Sequence, residues 1–132
     1  MMMDGNNYFL DSNIIIDLFR GNNKTATFIT QNNAISIPVI VLGELLFGAE
    51  NSVNPNKHFN QVNDFILNFK IFTIDEDTSK IYAKVKAKLK KAGKPIPDND
   101  IWIAALALQH EFTLVTNDAH FKNINLLKIK HI

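Results

Sequence analysis

The chain has 132 residues, of which 46% are hydrophobic and 20% are charged, with a formal net charge of +1 and no cysteine. This length and balance predict one globular domain over residues 1–132, and the lack of cysteine excludes disulfides, thiolate metal sites and thiol nucleophiles. We find no signal peptide and no membrane span, since the apolar stretch "VIVLGELLFGA" is short and contains Glu44. We therefore expect a cytoplasmic protein without a membrane partner.

Short apolar runs alternate along the chain with helical patterns. "YFL" predicts a strand, "IIIDLFRG" a helix ending at Gly21, "AISI" a second strand, and Pro38 opens a helix over "PVIVLGELLFGAE". Further on, the sequence predicts a helix over "HFNQVNDFILNF", a strand at "KIFTI", a helix over "DEDTSKIYAKVKAKLKKAG", the apolar helix "IWIAALAL", the strand "FTLVT" and a last apolar segment "INLLKI". Strands separated by helices imply a parallel sheet covered on both faces.

Lysines concentrate in one predicted helix. Half of the 14 basic residues are lysines between positions 80 and 94. A solvated amphipathic face explains any one of them, and a patch this dense also suits a nearby polyanion.

Two aspartates follow predicted strands. Asp11 comes directly after "YFL", and Asp118 follows "TLVT" after one residue. Sites in parallel sheets form beyond the carboxyl ends of the strands, so both are candidate site residues. Each also has a local explanation, because aspartate is a favoured helix N-cap and turn residue.

Two further acids lie in apolar helices. Glu44 has almost only apolar neighbours, and Asp100 shares its helix face with the small residues Ala104 and Ala107, which let the helix approach the sheet. Asp98, in contrast, is predicted to be the N-cap of the same helix, with an additional ligand role as the alternative.

A cluster of these carboxylates would favour bound protons unless a cation is present. Oxygen ligands favour Mg²⁺ or Mn²⁺ and hence phosphoryl chemistry. No Walker A, G-x-G-x-x-G, H-E-x-x-H or G-x-S-x-G pattern is present, and Trp102 and most phenylalanines fit the apolar stripes of a core.

The motifs taken together resemble the PIN domain, and more narrowly the VapC-type toxins of type II toxin–antitoxin systems. The resemblance rests on "YFLDSNIIIDLFRG", "VIVLGELLFGAE" and "KKAGKPIPDNDIWIAALALQHEFTLVTND", which follow one another in the family's order. It implies a three-layer α/β/α sandwich, Mg²⁺- or Mn²⁺-dependent cleavage of RNA, a homodimer, and inhibition by a cognate antitoxin.

The resemblance also implies the roles of the acids. Asp11, Glu44 and Asp100 would be the principal metal ligands and catalytic residues, with Asp118 supporting a metal or orienting water. The Ser12 hydroxyl would hold Asp11, and Asn117 either holds Asp118 or shapes a turn.

Two alternative functions remain at this point. A phospho-accepting receiver domain would use Asp75, which follows "KIFTI", but it expects an acidic pair where this chain has Asp11 and Ser12. A non-catalytic PIN-fold RNA-binding module would keep the fold without turnover.

Overall fold

A parallel five-stranded sheet forms the centre of the computed structural model, which describes residues 6–132. Its strands are β1 (Tyr8–Leu10), β2 (Ile35–Pro38), β3 (Lys70–Phe72), β4 (Thr113–Val115) and β5 (Ile129–Lys130). The spatial order is β3-β2-β1-β4-β5, and every neighbouring pair is parallel. The chain builds outward from β1 in one direction and then returns to add β4 on its other side. A crevice is therefore expected where the carboxyl ends of β1 and β4 meet.

Six α-helices flank this sheet within the described residues. They are α1 (Ser12–Phe19), α2 (Asn23–Gln31), α3 (Val39–Glu50), α4 (Pro55–Ile66), α5 (Glu76–Lys91) and α6 (Asp98–His110). Local chemistry sets their ends: Gly21, with φ of +87°, provides the left-handed residue just after α1, and Asp75 forms a capping box with Thr78 at the start of α5. The predicted three-layer α/β/α architecture is confirmed.

The predicted elements recur in the structure with three differences. Helix α2 was not predicted, because "NKTATFITQ" is mostly polar and buries only Thr25 and Phe28. Helix α4 ends at Ile66, so Phe69 packs from the following turn. The last apolar segment contributes only β5, after a 3₁₀ helix at Ala119–Asn123.

The core lies on both faces of the central strands. Phe9, Leu10, Leu114 and Val115 have no exposed surface, which matches strands covered by helices on both sides. Helix α6 is buried almost all round, with Ala104 and Ala107 at the predicted close approach. This close approach carries the first turn of α6 toward the sheet.

The prediction that Trp102 belongs to the core is wrong. Trp102 is half-buried and stacks on Tyr82 of α5, with ring centroids 3.8 Å apart and planes 11° from parallel. Helices α5 and α6 pack along each other, and every lysine from Lys80 to Lys94 is exposed.

Within residues 6–132, none of the helices combines the length and the apolar character needed to cross a bilayer.

Candidate metal centre

Asp11 lies where β1 ends, at the predicted crevice. Its backbone N–H donates to the carbonyl of Val115 (3.0 Å), which extends the β1–β4 ladder by one residue. The carboxylate is only 4% exposed and accepts from the Ser12 backbone N–H (2.8 Å) and from the Thr116 hydroxyl (2.7 Å). Asp11 is also the N-cap of α1, which confirms the capping explanation and leaves its carboxylate inside the crevice as a candidate ligand.

Asp118 is attached to the same crevice through Thr116. The backbone N–H of Asp118 donates to the Thr116 hydroxyl (3.0 Å), and that hydroxyl in turn donates to Asp11. The Asp118 carboxylate accepts from the backbone N–H of His120 (2.9 Å) and so caps the 3₁₀ helix. The single buried hydroxyl of Thr116 therefore sets the relative position of two acids from different strand ends.

Asp100 enters the crevice from the first turn of α6. It is 8% exposed, and its Oδ2 lies 3.0 Å from His120 Nδ1, which lies 3.2 Å from Asp118 Oδ1. One ligand atom from each of these three residues lies within 4.8 Å of the others. Asp100, Asp118 and His120 thus form a compact group of potential metal ligands.

Glu44 completes the set from α3. It is half-buried, and among the described residues its Oε1 has no hydrogen-bond partner. The negative charges of Asp11 and Asp100 both act on it. A buried carboxylate oxygen without a donor is costly, and a water, a proton or a cation would relieve that cost.

The electrostatics of the cluster favour protonated carboxyls. Burial raises the pKa of Asp11, and the charge of Asp118 raises it further, against the lowering effect of the hydrogen bonds from Thr116 and Ser12. Burial also raises the pKa values of Glu44 and Asp100, with additional repulsion from Asp11 in both cases. Hydrogen bonds from Asn99 and Ser12 to Glu44, and from His120 to Asp100, lower these pKa values by less. Three acids that resist ionisation in one crevice form a site that a divalent cation would stabilise.

The donor set fits a divalent metal. The crevice offers four carboxylates, one of which has a buried oxygen without a donor, together with one imidazole. Carboxylates suit Mg²⁺ and Mn²⁺, as the sequence predicted, whereas the imidazole is an addition to that prediction.

The prediction that Asp98 caps α6 is wrong. The N-cap is Pro97, and Asp98 points instead toward α5, where it accepts from Lys86 Nζ (2.9 Å) and the Tyr82 hydroxyl (3.0 Å). These two hydrogen bonds, that of Lys86 first, lower the pKa of Asp98. Asp98 is therefore neither a cap nor a member of the acidic cluster.

Two supporting roles also differ from prediction. The Ser12 backbone N–H, rather than its hydroxyl, holds Asp11, and the hydroxyl that holds it belongs to Thr116. Asn117 exchanges hydrogen bonds with the backbone of Ile132 and so secures the C-terminal segment instead of Asp118.

Sequence reasoning missed Thr116 and His120. Thr116 directly follows β4, so its position beside Asp11 was implied by two adjacent parallel strands. His120 gave no such signal, because its approach to Asp100 depends on the path of the 3₁₀ helix.

The comparisons with known proteins agree on one family. A model of the PIN domain family matches residues 8–127. The ribonuclease VapC2 of Haemophilus influenzae is 32% identical over 113 residues, which cover 84% of this chain and 86% of that protein. The tRNA(fMet)-specific endonuclease VapC of Shigella flexneri is 28% identical over the same shares of the two chains. A chain in the crystal structure of VapBC2 from Rickettsia felis bound to a DNA fragment from their promoter aligns with a TM-score of 0.89 and 25% identity, over 95% of this chain and 98% of that one.

Proposed function

The chain belongs to the PIN domain family, and from this premise we propose that it acts as a single-domain, metal-dependent ribonuclease, the toxin of a type II toxin–antitoxin system. The observation that carries the proposal is the convergence of Asp11, Glu44, Asp100 and Asp118 at the junction of β1 and β4, with a buried Glu44 oxygen that lacks a donor. Such a cluster is costly to bury for stability alone, and it suits a site that binds a cation and a phosphodiester.

In this proposal the four carboxylates hold Mg²⁺ or Mn²⁺. The bound cation supplies activation of a water and neutralisation of negative charge on the phosphate. The chain's own groups prepare this chemistry: Thr116 and the Ser12 N–H fix the orientation of Asp11, and Asp118 either completes the ligand set or orients water. Because these donors are preorganised, little rearrangement is needed when substrate binds.

The lysine face of α5 is proposed to hold the RNA backbone. Lys86 contacts Asp98 in the first turn of α6, the same turn that carries Asp100, so this face lies at the end of α6 that enters the crevice. Contacts to phosphates position an RNA without reading its sequence. The tRNA named in the Shigella flexneri relative makes tRNA the first substrate class to test.

The decisive experiment is cleavage of end-labelled tRNA by the purified chain with Mg²⁺ or Mn²⁺. Cleavage should be lost in EDTA and in Asp11→Asn and Glu44→Gln, and kept in Asp64→Asn, an exposed acid on α4. Binding of RNA without cleavage by the wild type would instead favour the non-catalytic module.

The receiver alternative has little structural support. Asp75 is engaged by its capping box and by Gln109 Nε2 (3.0 Å), far along α6 from Asp100. Incubation with a small phosphodonor should leave no acyl phosphate on Asp75.

A groove beside Glu44 is the proposed docking place of the antitoxin. Helices α1, α3 and α4 enclose about 310 Å³, lined mainly by apolar side chains and reaching Glu44 at one end. An amphipathic segment of the partner would place apolar residues here and a basic side chain toward the carboxylates, in place of metal. Charge reversal by Glu44→Lys should weaken the complex in a pull-down with the antitoxin, and an unchanged affinity would argue against this placement.

We also propose a homodimer. Phe47 on α3 and Leu67 directly after α4 are large apolar side chains that are 69% and 83% exposed, which suits burial against a second copy. Light scattering at high concentration should give twice the mass of the chain, and a strict monomer would contradict the proposal.

A further inference from the structure

His120 contacts two proposed metal ligands although it belongs to none of the motifs quoted above. Its Nδ1 lies 3.0 Å from Asp100 Oδ2 and 3.2 Å from Asp118 Oδ1. A ring nitrogen between two carboxyl groups is placed either to donate a hydrogen bond or, when it carries no proton, to bind a cation. The imidazole thus lies where the carboxyl groups of Asp100 and Asp118 converge.

The spacing of these three atoms also fits a coordination sphere. Metal–oxygen and metal–nitrogen bonds of about 2.1–2.2 Å at right angles place neighbouring ligand atoms about 3.0–3.1 Å apart. The two separations from Nδ1, 3.0 and 3.2 Å, are within about 0.1 Å of this edge length, and the three ligand atoms lie within 4.8 Å of one another.

The backbone holds His120 in this place. Its N–H donates to Asp118 Oδ1 at 2.9 Å, so the residue is tied to the carboxylate beside which its ring lies. The side chain is 51% exposed, which leaves Nε2 free to keep a proton in contact with water when Nδ1 binds a cation.

We propose that His120 is a nitrogen ligand of the metal centre and makes the site select Mn²⁺ over Mg²⁺. Imidazole binds first-row transition ions, whereas Mg²⁺ demands oxygen ligands; Mn²⁺ is the transition ion that also accepts a shell made mostly of carboxylates. This inference rests on the proposed metal-dependent function and names the ion that the site prefers.

The direct test is pulsed EPR of Mn²⁺ bound to the purified protein. A nitrogen coupling should appear, change its pattern when the histidines are labelled with ¹⁵N, and disappear in His120→Ala. His131→Ala, which removes an exposed histidine outside the site, should keep the coupling. Bound Mn²⁺ without any histidine coupling would overturn the proposal.

Calorimetric titration with Mn²⁺ and Mg²⁺ separates ligation from a structural role. His120→Ala should weaken Mn²⁺ binding by about tenfold or more and Mg²⁺ binding by about twofold at most, so the selectivity ratio falls. An equal loss for both ions would mean that the ring only positions Asp100 and Asp118. These measurements do not need RNA, so they separate the two proposals. A histidine nitrogen coupling to Mn²⁺ without cleavage of RNA would reject the nuclease and keep His120 as a ligand. Cleavage of RNA without this coupling would keep the nuclease and reject His120 as a ligand.

Discussion

Replacing Asp100 by Asn should make the metal-free protein more stable while abolishing cleavage of RNA. Asn keeps the shape and an acceptor oxygen for His120 Nδ1 but removes one negative charge from a buried position. Burial and the charges of Asp118 and Asp11 raise the pKa of Asp100, so the ionised carboxylate opposes folding near neutral pH.

The size of the effect follows from the geometry. Asp100 and Asp118 offer oxygens within 4.8 Å of each other, a separation at which two unit charges repel by about 3 kcal/mol for an effective dielectric constant near 20. Weakening of the charge-assisted hydrogen bond from His120 offsets about 1–2 kcal/mol of this gain. A net gain of about 1–2 kcal/mol corresponds to roughly 4–7 °C in melting temperature for a chain of this length.

Thermal unfolding in EDTA and in Mg²⁺ or Mn²⁺ measures both parts of the prediction. Wild-type protein at 100 times the dissociation constant should gain about 2.7 kcal/mol, or roughly 10 °C, and Asp100→Asn should gain much less. Asp98→Asn and Asp75→Asn are matched controls outside the cluster, and both should keep the metal-induced shift. If Asp100→Asn melted at or below the wild-type temperature in EDTA, the repulsion argument would fail, and an unreduced metal shift would remove Asp100 from the ligand set.

Three other outcomes are expected. The pKa values of Asp11, Glu44 and Asp100 are raised, so between the ordinary and the raised values the folded state binds more protons than the unfolded state. Metal-free stability should therefore increase as pH falls through this window, and urea midpoints that decrease steadily as pH falls from neutral toward the ordinary values of 3.8 and 4.5 would contradict it. Thr116→Val removes the hydroxyl that donates to Asp11. It should lower the free energy of unfolding in urea by about 1–3 kcal/mol and the rate of RNA cleavage at least tenfold. Thr30→Val, on the exposed side of α2, is the control. Lys90→Gln, one helical turn beyond Lys86, should lower the salt dependence of RNA binding by about 0.7 in log–log slope, and an unchanged slope would place the RNA elsewhere.

The sequence was sufficient to predict most of the fold because its apolar runs and helix ends are local signals. Asp11 and Asp118 were identifiable because both follow strands, and Glu44 because an acid in an apolar helix is unusual. Helix α2 escaped prediction because its caps and two buried residues are weaker signals than a full apolar stripe.

The sequence does not show which side chains meet across the crevice. Thr116 and His120 act across the crevice, on Asp11 and Asp100, which lie 105 and 20 positions away in the chain. Contacts of this kind depend on strand register and on the 3₁₀ helix, and no periodicity in one sequence specifies them. For the same reason the sequence assigned Asp98 to a helix cap and did not reveal its contact with Lys86 on α5.

The geometry of a helix explains how these two aspartates diverge. Residues two apart on an α-helix point about 200° away from each other, so Asp98 faces Lys86 on α5 while Asp100 faces the carboxylates at the sheet. Their pKa values consequently move in opposite directions: the hydrogen bond from Lys86 lowers that of Asp98, and burial raises that of Asp100. Asp98 has its counter-charge within the chain and stabilises the fold wherever it is ionised. Asp100 contacts His120 Nδ1 but also lies near the charges of Asp118 and Asp11, so its burial costs stability until a cation binds. The stability lost in the free protein then reappears as affinity for the metal.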